Sequence, residues 1–301
     1  MPDVILKHVP GMKHASAVPV HRAEELSESV FTGEHVSNGK PCVIRGAVKH
    51  WAAVQNWRDK DHLKKRCGHH SVSLFSNEYH ARWDRLSAGK REVSFTEAID
   101  HLHAEETKIG IIVESLPELQ MDLGRLPFLT KAEPAFTYEA ARFFFYRNAG
   151  TSWHFHSFDE TLMSQIVGSK KIGLLKTNTP SYLAMLTLFC KEEYYDDPSA
   201  FEGFDAADLE WFSAELDEGD ALYIPPLWWH GVIPTTRTFG ATAAVTWRSP
   251  SHVIANTIRQ MASGEIDLIG MPNMTAIKAL FGVAKKMGLE REFAIAWERR
   301  M

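Results

Sequence analysis

Between Gly150 and Lys170 the chain reads GTSWHFHSFDETLMSQIVGSK, a stretch that crowds His154, His156, Asp159 and Glu160 together just ahead of an apolar segment, 162–167. Successive side chains on a strand alternate between faces, so His154 and His156 point the same way. Two imidazoles on one face, with a carboxylate just beyond the turn, can occupy three corners of a first-row metal's coordination sphere. Further along comes GDALYIPPLWWHGV (219–232), an apolar strand and Pro-rich turn that end on His230. That histidine can supply a missing ligand from a neighbouring strand. One histidine on an apolar strand is usually a packed core residue; two at i, i+2 followed by acids, with a third after a Pro-rich turn, favour a metal site.

The surrounding pattern is of short strands. Pro41 to Arg45 reads as a buried strand ending at Gly46, with Ser71 to Leu74, 109–113 and Ala141 to Tyr146 as further strands. The turn Asn148-Ala-Gly150 leads into 152–156, 161–167, 171–175, 221–224, 231–233 and 239–247. Short strands separated by Gly, Pro and Asn turns favour a sandwich or barrel. Helices are expected over 27–36, over 47–66 (where Trp51 and Trp57 have helical spacing) and over 94–106, which opens with a Ser-x-x-Glu capping box. The segment 177–218 is long, aromatic and acidic (EEYYDDP, 192–198) and reads as a substrate lid. Beyond Ser251 the pattern turns helical, with a break at Gly270-Met-Pro272. Expected domains are therefore a β domain over 1–250 and a C-terminal helical extension over 251–301.

Composition narrows the class. The net charge is −5 and no block of Lys or Arg exceeds three residues, which argues against a nucleic-acid footprint. Cys42, Cys67 and Cys190 are odd in number and widely separated, as for reduced thiols. The start, MPDVILKHVPGMKH, lacks a signal-peptide apolar run, and no stretch of 18 apolar residues occurs. The expectation is a cytoplasmic protein with no membrane span. His69-His70 resembles a metal pair, but adjacent strand residues face opposite ways, so a surface loop is favoured.

The ordered motifs resemble the JmjC/cupin-like oxygenase superfamily over most of residues 17–250. The marks are Lys40-Pro-Cys-Val-Ile-Arg-Gly46 followed by Trp51 and Trp57, then Gln165-x-x-Gly168-x-Lys170, then Gly219 to His230. The resemblance implies a mainly β fold with flanking helices, built on a double-stranded β-helix (jelly-roll, cupin) core. It also implies Fe(II) and 2-oxoglutarate as cofactor and co-substrate. His154 falls on the family's first metal histidine and His230 on its distal one. Lys170 falls on the lysine that pairs with the 2-oxoglutarate C5 carboxylate, Thr151 on a hydroxyl bonded to the same carboxylate, and Thr246 on a pocket-lining position. Tyr146 either lines the co-substrate pocket or packs. Relatives often dimerise through C-terminal helices, so the spaced apolar residues Ile254, Ile258 and Met261, then Ile277, Leu280, Phe281 and Ala284, suggest a homodimer.

The chain departs from the resemblance at one position. Oxygenases of the group read His-x-Asp or His-x-Glu; here the sequence is His154-Phe-His156. Asp159 or Glu160 then supplies the carboxylate, or His154, His156 and Glu160 form the general cupin pattern His-x-His-x-x-x-Glu with His230 as fourth ligand, or the site is impaired. Three functions remain open: an Fe(II)- and 2-oxoglutarate-dependent oxygenase acting on a small molecule or protein side chain, a 2-oxoglutarate-independent dioxygenase with three histidines, and a non-catalytic metal or ligand binder.

Overall fold

The computed structural model describes residues 6, 9, 11–76, 90–107, 109–156, 159–178, 185, 209–265 and 281–298. Its strands are β1 (Ser16–Ala17), β2 (Val20–Arg22), β3 (Cys42–Arg45), β4 (Ser71–Phe75), β5 (Lys90–Ser94), β6 (Gly110–Glu114) and β7 (Arg142–Arg147). The second half of the sheet scaffold adds β8 (Thr151–His154), β9 (Asp159–Val167), β10 (Lys170–Lys176), β11 (Trp211–Leu216), β12 (Ala221–Ile224), β13 (Trp228–Pro234) and β14 (Phe239–Arg248). They form a nine-stranded sheet, β2-β3-β12-β9-β14-β7-β6-β4-β5, and a five-stranded sheet, β1-β11-β10-β13-β8. The fold is mainly β with flanking helices, as a jelly-roll core requires.

Period-two alternation sorts each strand between two environments. Ile172 and Leu174 of β10, Val232 of β13 and Leu222 of β12 pack between the sheets. Leu162 and Ile166 of β9 and Phe143 and Phe145 of β7 turn to the outer face of the large sheet, where Trp51, Trp57 and Leu102 cover them. On the small sheet, Trp153, Leu175, Trp229 and Ile233 turn outward onto Ile254, Ile258 and Phe293 of the C-terminal helices. The order is helices, large sheet, small sheet, helices, and the site lies between the two sheets.

Several boundaries differ from the sequence reading. The helix expected over 47–66 is two, Ala52–Asn56 and Lys60–Cys67, because Asp59 caps the second by accepting from the Asp61 amide. The helix expected over 27–36 is a short turn, Glu28–Val30, running into a π-helical stretch, Phe31–Val36. The capping box holds: Ser94 accepts from the Glu97 amide at the head of Phe95–His103. Part of the expected lid is core, since Trp211–Leu216 is a strand paired with β10. The acidic stretch 192–198, Cys190 and the expected break at Gly270-Met-Pro272 lie outside the described residues. Ile254, Ile258, Met261 and Ala284 are buried within the chain itself, so their apolar spacing does not require a second copy. Among the described residues, no helix is long and apolar enough to cross a membrane.

Candidate metal centre and its cavity

His154 ends β8 and stands directly across from His230 on β13. The register shifts between His230 and Val232, so that Thr151 rather than Ser152 pairs with Val232. This bulge turns Thr151 to the cavity face, which strict alternation from His154 would have denied it. His156 lies beyond the strand, so alternation does not place it. Instead the Leu227 amide donates to the His156 carbonyl at 2.7 Å. Leu227 adopts φ 59°, a left-handed conformation that a branched side chain rarely takes. The Pro225-Pro226-Leu227 turn thus holds two of the three histidines in reach of each other.

Ligand atoms of His154, His156 and His230 lie within 4.8 Å of one another. The Nδ1 of His154 donates to the Ser152 carbonyl at 2.9 Å, and that of His230 to the Trp228 carbonyl at 2.9 Å. A carbonyl only accepts, so Nδ1 carries the proton and Nε2 keeps its lone pair in both rings. The Nδ1 of His156 is bonded to the Thr161 hydroxyl at 2.7 Å, leaving its Nε2 available as well. Such outer bonds fix tautomer and orientation in metal-binding histidines. Burial lowers the pKa of His154 to about 4 and of His156 to about 3, and that of His230 well below its usual range. All three rings are therefore neutral at pH 7, the form that ligates. The donor set fits a first-row metal such as iron(II).

The acids stand elsewhere. Glu160 is fully buried on the outer face of β9, accepting from the hydroxyls of Tyr223 and Ser249 at 2.5 Å each. Thr161 and Met163, on the opposite face, line the cavity. Asp159 accepts from the amides of Phe136 and Thr137 at 2.7 and 2.9 Å. Neither carboxylate joins the histidines, so the His-x-His-x-x-x-Glu expectation is corrected: strand parity sends Glu160 the other way.

The cavity holds about 360 Å³ and is lined by the three histidines together with Thr151 and Lys170. Lys170 is 6% exposed; its Nζ sits 4.2 Å above the centre of the Tyr146 ring, and no carboxylate pairs with it among the described residues. Burial alone pulls its pKa down to about 7. Two glycines make this geometry. Gly168, at φ 81°, turns β9 into β10. Gly240 lies opposite Tyr146, where a Cβ would stand 2.4 Å from the ring. Gln165 completes the support, donating to the Tyr146 hydroxyl at 2.9 Å and accepting from Thr242 at 3.0 Å.

Thr246 is on the cavity-facing side of β14, paired with Thr161, but is not among the lining residues, and its hydroxyl is buried without a partner among the described residues. Thr242, four residues earlier on the same strand face, lines the cavity instead. Arg142, Thr161 and Thr242 were not singled out from the sequence. The signal for Arg142 was present: a charged residue in phase with Phe144 and Tyr146 on the strand RFFFYR.

Two other groups have metal-ligand composition. His21, His35 and Cys42 cluster, but the two imidazoles are bonded directly to each other at 2.8 Å, and burial pushes the Cys42 thiol far above its usual range. His69 and His70 share Glu118, with His69 exposed and none of the three lining the cavity.

Two facing sheets with histidines directed between them define a cupin-type metal-binding fold. The chain belongs to the cupin-like domain family (Cupin_8), which it matches over residues 27–256. It is 25% identical over 258 residues to the lysine-specific demethylase JMJ30 of Arabidopsis thaliana, covering 79% of this chain and 57% of that protein. It is 24% identical over 247 residues to Jumonji C domain-containing protein 5 of Drosophila melanogaster, covering 75% and 59% respectively. With JmjC domain-containing protein D of Dictyostelium discoideum it shares 25% over 254 residues, covering 73% and 54%. The chain thus spans a little over half the length of these relatives.

Proposed function

We propose that this chain is an Fe(II)- and 2-oxoglutarate-dependent oxygenase of the JmjC/cupin-like class, acting on a small molecule or a protein side chain. The observation that carries the reading is the pairing, in one cavity, of three neutral imidazoles with a buried lysine that has no counter-ion among the described residues. Iron held by His154, His156 and His230 would supply dioxygen activation. The chain's own residues account for the rest. Lys170 is a desolvated cation, and a charge-assisted bond to a carboxylate would compensate its burial. Thr151 adds a hydroxyl donor on the same wall. Tyr146, locked by Gln165 and seated on Gly240, fixes the ammonium from behind. The sheets and the aromatic wall exclude water, which strengthens each of these interactions.

The absence of a carboxylate from the trio favours a second reading, a dioxygenase that works without 2-oxoglutarate. Calorimetry on metal-loaded protein separates the two. 2-Oxoglutarate should bind, and Lys170→Ala should weaken it by about 10–150-fold, the equivalent of a charge-assisted hydrogen bond, with metal content unchanged. Affinity should also fall as pH rises through about 7, where Lys170 loses its proton. Absence of 2-oxoglutarate binding to the metal-loaded wild-type protein would transfer support to the second reading.

A further inference from the structure

Arg142 opens β7 on the cavity face, paired with Ala244, whose small side chain leaves the guanidinium room. The guanidinium carbon lies 3.9 Å above the Tyr138 ring centre and 5.2 Å from that of Phe144. These contacts hold its plane, and a bond to the Tyr138 side chain uses only part of its five-donor fork. No carboxylate pairs with it or lines the cavity among the described residues. A half-buried cation on an aromatic platform, facing a cavity whose described lining holds no acid, is built for an anion.

That anion is a different one from the partner of Lys170. Lys170 stands over Tyr146, four residues along the same strand from Arg142, a separation of about 13 Å. β13 carries His230 and, four residues on, Pro234, which pairs with Lys170, whereas Ala244 opposite Arg142 also pairs with Met163, two residues from the Thr161 hydroxyl that is bonded to His156. One cation therefore stands at the far end of the cavity and the other beside the histidines.

We infer that Arg142 is a substrate-specificity residue: the molecule bound beside the histidines carries a carboxylate, held by the Arg142 guanidinium. The oxygenase reading supplies the use to which that molecule is put; the anion subsite itself stands on Arg142 and the cavity. A guanidinium fork matches a planar carboxylate bidentately. A cationic substrate would meet Arg142, Lys170 and three neutral rings, with no acid among the described lining residues to receive it.

The test uses full-length protein loaded with zinc, which removes turnover, and three probes of one carbon skeleton: 3-phenylpropionate, its primary amide and 3-phenylpropylamine. Titrations are run with and without saturating 2-oxoglutarate. The acid should bind at least about tenfold more tightly than the amide or amine, since a charged hydrogen bond contributes on that scale. Arg142→Gln should abolish the preference, Arg142→Lys should keep part of it, and Lys170→Ala should leave it intact. Thermal melting of both Arg142 variants verifies the fold, and Arg142→Lys answers the case in which Arg142→Gln fails to fold. Equal binding of acid and amide by the wild-type protein overturns the inference. So does an acid preference that survives Arg142→Gln, or one that disappears in Lys170→Ala. If 2-oxoglutarate itself does not bind, the oxygenase reading fails, while the acid preference and its loss in Arg142→Gln still decide the role of Arg142.

Discussion

Strand β9 separates two buried polar regions that differ in one respect. On its outer face Glu160 receives two hydroxyl donors, and Tyr223 and Ser249 both end there. On its inner face lie Lys170 and Arg142, with no acid to pair them among the described residues, and three histidines whose Nδ1 atoms are satisfied. Both regions are desolvated, and desolvation moves Glu160 and Lys170 in opposite senses, each to about 7. Buried polar groups are normally paired. A satisfied cluster is accounted for by the fold alone; a cluster left open toward a shared space calls for a ligand.

The largest effect should fall on the inner face. His154→Ala should reduce metal affinity by at least about 100-fold, since losing even a supporting residue costs about 10–100-fold. Wild-type protein should hold metal as pH falls to about 5 and release it through about 4, because protons compete only near the depressed pKa values of His154 and His156. Chelator competition measures both; release already at pH 6 would mean that the rings are less buried than described.

Gly240→Ala should be next. Its Cβ would press on the Tyr146 ring at 2.4 Å, and overpacking of a filled core costs about 1–3 kcal/mol. Denaturant unfolding should show that loss, with a several-fold weaker hold on 2-oxoglutarate as the ring beneath Lys170 shifts. Unchanged stability together with unchanged affinity would show that Tyr146 is not held by this contact.

The smallest effect belongs to the outer face. Glu160→Gln should leave metal affinity unaltered and change the pH dependence of stability. The folded carboxyl titrates near 7, above its ordinary 4.5, so across that window the folded state keeps a proton that the unfolded chain has lost. Glu160 therefore lowers stability as pH rises from 4.5 to 7. The variant should flatten this slope, measured by denaturant midpoints at several pH values. A large metal loss in Glu160→Gln would erase the contrast between the two faces.

The strands, the three histidines and Lys170 were legible because they are strand patterns and local motifs. The placement of Glu160 was not. Parity can be counted only along an unbroken strand, and β8 ends at His154 before β9 begins at Asp159. Across that gap, the motif His-x-His-x-x-x-Glu specifies residue types and leaves the face undetermined. Thr151 was placed through its motif, although the bulge that turns it inward leaves no mark on residue type. Arg142 was overlooked because an arginine at a strand end reads first as a solvated terminus. Its phase with Phe144 and Tyr146 marks one face of the strand, and the register with Ala244 on β14 identifies that face as the inner one.

The direct opposition of His154 and His230 also bears on how the chain folds. The two are far apart in sequence, and they meet only after β13 has paired with both β10 and β8. Closing so long a loop is entropically expensive and slow compared with forming adjacent hairpins such as β9–β10. No intermediate lacking β13 contains the complete trio. A metal held by the trio would therefore bind late, to the finished sandwich, and stabilise it by RT ln(1 + [metal]/Kd). Added metal should slow unfolding more than it speeds refolding, which makes occupancy of the centre a reporter of β13 docking.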